Sequence, residues 1–232
     1  MPDRQLRILL FGDSIFNNRK YVPEYETVLR QVESIAGGVV LGLAVDGRTT
    51  ESYAVQLRDQ KGLLSAKLKE KYFDDVPAAF VSLGINDVLH FMREIKVLNL
   101  FQKHDPIEVL HERTIDFMNA YEDVVAYFTQ ELELPTTFCT IYNSAVEDKE
   151  LFSVIQGLFN DVIMKVTSRW AQTTLELRDI FTEQDDYINF VEPSANGGKK
   201  LANAIHERAV EIETYIRAIE VVGPRKTGSV DI

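Results

Sequence analysis

The sequence of this 232-residue chain predicts an α/β fold, in which a five-stranded parallel sheet is covered by helices on both faces. Five short apolar runs alternate along the chain with longer segments whose apolar residues recur every three or four positions. None of the five runs alternates clearly between apolar and polar residues, which is typical of strands buried on both faces. This order implies parallel strands joined by right-handed crossovers, and therefore a three-layer α/β/α sandwich.

The individual elements follow from these patterns. Strands are predicted at 6–11, 39–43, 78–83, 137–141 and 174–177, and helices at 23–36, 50–71, 106–132, 149–171 and 197–219. The mixed apolar and basic segment 88–105 is interpreted either as a lid or as a peripheral helix over the sheet edge. No linker rich in Pro, Gly or Ser divides the chain, so 1–220 is predicted to be one domain, followed by a flexible tail at 221–232.

Composition narrows the class of protein. The net charge of −11 and the pI near 4.9 argue against a nucleic-acid or anionic-membrane partner, because phosphate binding needs clustered Lys and Arg. No segment approaches the roughly 20 apolar residues of a membrane span, and the start lacks the apolar stretch of a signal peptide. A cytoplasmic location is therefore expected, and Cys139, the only cysteine, is expected to pack as a small apolar residue. Composition gives no indication of an oligomeric state.

The first candidate site feature is the turn Gly12-Asp13-Ser14, which directly follows the apolar run 6–11. Open α/β sheets bind ligands at the carboxyl ends of their strands, so a serine at this place is a candidate nucleophile. The same residue types also serve ordinary turns, because glycine adopts positive φ and Asp or Ser caps a following helix. A second turn, Gly84 to Asp87, follows the run 78–83. The two turns together predict one site.

Three groups at this edge are predicted to bind the oxyanion that forms when a serine attacks a carbonyl carbon. They are the backbone N–H of Ser14, the backbone N–H of Gly47 and the side-chain amide of Asn86. Asp13 and Asp87 lie next to their turns and are interpreted as residues that cap or pin the loops.

These motifs resemble those of the SGNH hydrolase superfamily, whose members are also called GDSL esterases and lipases. Gly12-Asp13-Ser14 matches its first block, Gly47 matches the glycine of its second, and Gly84-Ile85-Asn86-Asp87 matches its third. The resemblance implies a flavodoxin-like fold and hydrolysis of a small-molecule acyl or carbohydrate ester through an acyl-enzyme on Ser14. It also implies that no metal and no cofactor takes part.

The last block of the family, Asp-x-x-His before a proline and a glycine, is altered in this chain. Aligning on Pro193 and the glycines after it puts Asn189 in place of the aspartate and Glu192 in place of the histidine. This resembles a divergent subgroup with Glu-Pro-Ser at that place. Free glutamate has a pKa of about 4.3 and free histidine about 6.5, so Glu192 is a weak base unless its surroundings raise its pKa. Asn189 is predicted to hold Glu192 by donating a hydrogen bond.

The identity of the base is open between three answers. Glu192 is the first candidate, His90, four residues past Asn86, is the second, and the absence of any base is the third. His104 and His111 reach the site only if the segment 88–105 folds over it.

Two other function classes fit parts of the pattern. A scaffold that has lost its base becomes a non-catalytic protein that binds a small ester, sugar or acyl group on the same loops. A phosphate or nucleotide binder is the weaker interpretation, because no Gly-x-Gly-x-x-Gly or Gly-x-x-x-x-Gly-Lys-Ser/Thr motif follows a strand. The acidic residues Glu183, Asp185 and Asp186 fit no metal-loop spacing.

Overall fold

The structure, a computed structural model, describes residues 6–60, 66, 68, 77–144 and 148–222. The main sheet contains β1 (Arg7–Gly12), β2 (Val39–Gly42), β3 (Ala78–Ser82), β4 (Thr136–Cys139) and β5 (Thr173–Leu175). The helices are α1 (Val28–Ala36), α2 (Thr50–Asp59), α3 (Ile85–Leu98), α4 (Leu100–Lys103), α5 (Pro106–Ala126), α6 (Lys149–Arg169) and α7 (Ala195–Val222). Short helical turns lie at Glu24–Glu26, Leu177–Asp179 and Gln184–Asp186, and a π-helical turn, Tyr127–Glu131, ends α5.

The five strands form one parallel sheet, as predicted, and their order is β2-β1-β3-β4-β5. Strand β1 lies between β2 and β3, with Leu9 aligned with Leu41 of β2 and with Ala79 of β3. All five residues of β3 are buried, whereas edge strand β2 is partly exposed. The carboxyl ends of β1, β2 and β3 therefore meet at one edge of the sheet.

Helices cover both faces, so the predicted three-layer α/β/α sandwich is confirmed. Helix α1 packs on α7 on one face, and α2, α5 and α6 pack in series on the other. Aromatic side chains fill the second interface: the Phe11 ring of β1 meets Phe128 edge-on at 4.9 Å, and Phe117 stacks on Phe159 at 4.1 Å between centroids. Buried rings of this size supply much of a core's apolar area. Within the described residues, no helix has the length and apolar character needed to cross a lipid bilayer.

The segment 88–105 is helical, as its peripheral-helix interpretation predicted. Helix α3 buries Val88, Phe91, Met92 and Ile95, which recur at helical spacing, while the charged residues between them face solvent. The helix stops at Asn99, which adopts the left-handed conformation at φ 52°. This apolar face packs on the body of the protein, so the lid interpretation is wrong for α3.

Three further differences concern the ends of elements. A small antiparallel hairpin, β6 (Tyr187–Ile188) with β7 (Glu192–Pro193), precedes α7 and was not predicted. Helix α7 starts at Ala195 because the Ser194 hydroxyl accepts a hydrogen bond from the Gly197 N–H at 3.2 Å. The helix continues to Val222, past the predicted start of the tail at Val221, and the rest of that tail lies outside the described residues.

Candidate active site

The loops that follow β1, β2 and β3 are joined to one another by backbone hydrogen bonds at the carboxyl edge of the sheet. The Asp13 N–H donates to the Ser82 carbonyl of β3 at 3.0 Å, and the Val45 N–H donates to the Gly12 carbonyl of β1 at 2.8 Å. The two predicted motif turns are therefore neighbours, and the loop that carries Gly47 lies on the other side of β1. Ser14 sits at the start of the central loop.

Asp13 fixes the shape of the turn that carries Ser14. One of its carboxylate oxygens, Oδ1, accepts hydrogen bonds from the Ile15 N–H and from the Ser82 hydroxyl, both at 3.1 Å. The side chain is fully buried, and burial raises the pKa of Asp13 well above its usual range. These contacts agree with a residue that pins the loop.

Asp87 joins the third loop to the second. Its carboxylate accepts hydrogen bonds from the Thr50 N–H at 3.0 Å and from the Thr50 hydroxyl at 3.0 Å, which ties the start of α3 to the start of α2. The pKa of Asp87 is raised to about 6 because burial outweighs the Thr50 hydrogen bonds and the nearby His90, which act to lower it. Asp87 thus has the pinning contacts expected of it.

The three predicted oxyanion donors lie on these joined loops. In the described part of the chain, the backbone N–H groups of Ser14 and Gly47 donate to no other protein group. The Asn86 amide donates one N–H to the Arg48 carbonyl at 3.0 Å, which fixes the side chain and leaves its second N–H unused. Gly47 has φ 77°, a conformation that glycine adopts without strain, and its residue is exposed. Each group therefore retains a free N–H for an anion.

Glu192 is the titratable group whose pKa depends on Ser14. Ser14 is 2 % exposed and Glu192 6 % exposed, and the Ser14 hydroxyl lies close enough to the Glu192 carboxylate to lower its pKa by hydrogen bonding. The pKa of Glu192 is raised to about 7. Burial is the main cause and the Asp46 charge adds to the rise, whereas hydrogen bonding by Ser14 and the charge of Lys20 oppose it. One carboxylate oxygen, Oε2, is buried without a hydrogen-bond partner among the described residues. The environment thus supplies the basicity that free glutamate lacks.

His90, the second candidate for the base, lies elsewhere. Its side chain is exposed and lines a groove of about 560 Å³ between α2, α3 and α5, together with Asp87 and Thr49. No hydrogen bond of the described residues joins His90 to Ser14 or to Glu192. His104 and His111 are exposed as well, on or beside the helices that replace the proposed lid.

The expected role of Asn189 is not seen in the structure. In the β6–β7 hairpin, Ile188 is the residue opposite Glu192, and Asn189 lies exposed in the connecting turn with φ 47°. Asn is one of the few residues other than glycine that tolerates this conformation. No hydrogen bond in the described part of the chain joins Asn189 to Glu192, so the prediction that it holds the base is wrong.

Sequence reasoning missed several residues beside Glu192. Lys20 and Asp46 form an ion pair at 2.5 Å, and the Tyr21 hydroxyl donates to Asp46 at 3.5 Å. Asn18 is completely buried and donates its amide to the Pro193 carbonyl at 3.2 Å. Their positions in the sequence could have indicated them, because Asn18, Lys20 and Tyr21 closely follow Ser14, and Asp46 closely follows β2. Among the described residues, no group of three acidic, His or Cys side chains is arranged to hold a metal ion.

Solved structures of several hydrolases resemble this chain. No family model and no curated protein sequence matches the chain. Among solved structures, an alpha/beta hydrolase enzyme from the metagenome of Lake Arreo, Spain, is 13% identical with a TM-score of 0.58, over 88% of this chain and 95% of its own. A member of the lipolytic G-D-S-L family from Veillonella parvula is 15% identical with a TM-score of 0.58, over 90% and 98%. The chain has the SGNH hydrolase fold.

A third structure with the SGNH fold is a variant of an acetyl xylan esterase from Geobacillus stearothermophilus. It is 17% identical with a TM-score of 0.55, over 88% of this chain and 94% of its own. Two other structures of that esterase are catalytic mutants, in which an aspartate or the histidine three positions after it is replaced by alanine. Asn189 and Glu192 have the same spacing on the SGNH fold of this chain.

Proposed function

We propose that this protein is a serine ester hydrolase in which Ser14 is the nucleophile and Glu192 is the general base. The observation that carries the proposal is the proximity of the buried Ser14 hydroxyl to the buried Glu192 carboxylate, whose pKa is raised to about 7. A base is most effective when its pKa lies near the working pH, because it is then both deprotonated and a good proton acceptor. The structural similarity to solved esterases supports the fold, and the site supports the chemistry.

The first half of the reaction forms an acyl-enzyme. Ser14 Oγ attacks the acyl carbon while its proton passes to Glu192, and the carbonyl oxygen becomes an oxyanion. The free N–H groups of Ser14, Gly47 and Asn86 donate to that oxyanion. The tetrahedral intermediate collapses as the bond to the leaving oxygen breaks, and Glu192 returns its proton to the leaving alcohol. The acyl group remains as an ester of Ser14.

In the second half of the reaction, water hydrolyses the acyl-enzyme. Water attacks the acyl carbon and gives a proton to Glu192, the bond to Ser14 Oγ breaks, and Glu192 returns the proton to Ser14. The carboxylate becomes neutral each time it accepts a proton, whereas a histidine would become a buried cation that needs a carboxylate beside it. This difference gives a physical reason why an exposed asparagine at 189 is compatible with catalysis.

The substrate class that we infer is an ester of a short acyl group. Ser14 is 2 % exposed, so little room lies above its hydroxyl for a long acyl chain. The acetyl xylan esterases with the same fold fit this inference. Turnover of p-nitrophenyl acetate is therefore expected to exceed that of p-nitrophenyl octanoate.

Covalent labelling tests the nucleophile directly. The wild-type protein is expected to react with a fluorophosphonate probe at a single site and to release p-nitrophenol from p-nitrophenyl acetate, and Ser14→Ala is expected to do neither. Ser153→Ala, which removes an exposed hydroxyl on α6, is the matched control and should react like the wild type. Peptide mapping of the labelled protein should place the probe on Ser14.

Equal behaviour of the wild type and Ser14→Ala would contradict the proposal. That result would favour a non-catalytic protein that binds a small ester or sugar on the same loops, and binding of such ligands to both proteins would then be the next measurement.

A further inference from the structure

Two consecutive asparagines, Asn17 and Asn18, follow Ser14 closely in the sequence. The side chain of each is hydrogen-bonded to a different loop of the site. The Asn17 side-chain amide donates to the Ala44 carbonyl at 3.0 Å, three residues before Gly47. The Asn18 amide donates to the Pro193 carbonyl at 3.2 Å, next to Glu192. One residue thus holds the loop with an oxyanion donor, and the other holds the segment with the base.

Every polar atom of Asn18 except its backbone nitrogen takes part in a hydrogen bond. Its Oδ1 accepts from the Val28 N–H at 3.0 Å, and its backbone carbonyl accepts from the N–H groups of Tyr21 and Val22 at 2.9 and 3.3 Å. The residue is completely buried. Its amide is therefore aimed at Pro193 by a rigid frame, and a side chain held in this way loses little entropy in forming the bond.

The bond to Asn18 connects parts of the chain that are 175 residues apart. Pro193 has no N–H, so its carbonyl is the polar backbone group through which this residue can be held. On the other side, the Ser194 N–H donates to the Asp186 carbonyl at 2.9 Å. Glu192 thus lies on a two-residue strand that is anchored just after it, and the Tyr142 hydroxyl donates to the Val191 carbonyl just before it. Of these links, the Asn18 bond is the one that comes from the Ser14 loop.

We propose that Asn18 is the positioning residue that holds the Glu192 carboxylate against the Ser14 hydroxyl. The inference rests on the proposed function, and it deepens it by naming the group on which the base depends. Asn18 touches neither substrate nor reacting atoms, so it acts through the placement of Glu192.

Loosening of this link has a defined electrostatic consequence. Without it, the Glu192 segment moves away from the serine loop and water reaches the carboxylate, so the burial that raises its pKa is reduced. The pKa of Glu192 then falls toward its ordinary range, and the base weakens. The titratable and charged groups that face Glu192 are the same before and after the change; they are Asp13, Lys20, Tyr21, Asp46 and Tyr142.

The experiment compares Asn18→Ala with Asn17→Ala, its neighbour of the same type. Asn18→Ala is expected to lower kcat by about 10- to 100-fold with little change in KM, as for the loss of a residue that orients a catalytic group. The pH profile of kcat/KM is expected to shift to lower pH. Asn17→Ala, which releases the Gly47 loop, should keep the wild-type midpoint even where its kcat falls.

A second measurement does not need activity. Titration of the Glu192 carboxyl by ¹³C NMR, assigned with Glu192→Gln, is expected to give a lower pKa in Asn18→Ala than in the wild type and in Asn17→Ala. Asn18→Asp keeps an oxygen that accepts from Val28 and loses the amide donor, but it also places a carboxyl group close to Glu192, so only its kcat, and not its Glu192 pKa, is compared with the wild type. It replaces Asn18→Ala if that protein does not fold, and the same fall in kcat is expected.

Wild-type kcat and an unchanged pH midpoint in Asn18→Ala would overturn the proposal, as would an equal shift in Asn17→Ala. Turnover that survives in Ser14→Ala would instead contradict the proposed function. In that case the NMR titration still decides whether Asn18 holds Glu192.

Discussion

Glu192→Gln is expected to lower kcat for p-nitrophenyl acetate by about 100- to 10,000-fold, the contribution typical of a general base. The amide occupies the same volume beside Ser14 and accepts no proton, so binding of substrate should change little. The expected pattern is therefore a large loss in kcat with a nearly constant KM.

The pH dependence supplies a second readout of the same variant. A base must be deprotonated to act, so kcat/KM of the wild type is expected to rise with pH through a midpoint near the Glu192 pKa of about 7 and then level off. In Glu192→Gln this limb should disappear. His90→Ala is the control, because His90 lines the neighbouring groove without contacting Ser14, and it should keep both the rate and the midpoint.

Glu192→Gln, which is expected to lower activity, is expected to raise the stability of the folded protein at high pH. The pKa of Glu192 is higher in the folded protein than in the unfolded chain, so its favourable contribution to folding is fully present below the unfolded pKa. That contribution is lost as pH rises through about 7. Above that pH the wild type buries a charge that the glutamine variant does not have. Glu192→Gln is therefore expected to melt at a higher temperature than the wild type at pH 8, and at a similar temperature at pH 4.

Loss of turnover in His90→Ala together with normal turnover in Glu192→Gln would transfer the role of base to the histidine. A variant at Glu192 that loses activity and also loses stability at pH 8 would point to a damaged fold and not to a missing base.

The sheet was predictable because its inner strands β1, β3 and β4 are buried. The run at β3 is apolar except for Ser82, and every residue of the strand is buried, so composition alone indicates its position. Helix α3 was harder to recognise, although Val88, Phe91, Met92 and Ile95 have helical spacing, because charged residues separate them in the sequence. The amphipathic pattern of this segment nevertheless indicates a helix.

The site was predictable only in part. Ser14, Gly47 and Asn86 were found because each follows a strand and strand ends meet at one edge. The place of Glu192 depends on a two-residue hairpin and on the Asn18 bond, and neither leaves a local pattern in the sequence. Its raised pKa is a property of packing, since a sequence does not show which carboxyl loses its water. Asn189 was misplaced because spacing alone does not reveal a turn.

Gly12→Ala is expected to destabilise the fold by about 3–5 kcal/mol, at the upper end of what single substitutions do. Gly12 ends β1 with φ 119°, and a Cβ at this residue would lie 1.9 Å from the carbonyl oxygen of Ser82. That oxygen belongs to the strand paired with β1, and it already accepts the Asp13 N–H at 3.0 Å. Neither strand can move aside without breaking the sheet beneath Ser14.

The matched control is Gly157→Ala in α6, where the residue is exposed and an added Cβ meets nothing within 4 Å. Alanine in a helix interior stabilises by about 0.5–1 kcal/mol relative to glycine, so this variant should melt slightly above the wild type. Gly12→Ala should melt lower by about 6–20 °C, given the usual shift of 2–4 °C per kcal/mol for a chain of this size. If Gly12→Ala kept the wild-type melting temperature, the Ser14 turn could not lie against β3 as described. Since the Ser14 oxyanion donor and the Asn18 link both lie in the loop that follows Gly12, the geometry of this part of the candidate site depends on the absence of a methyl group at Gly12.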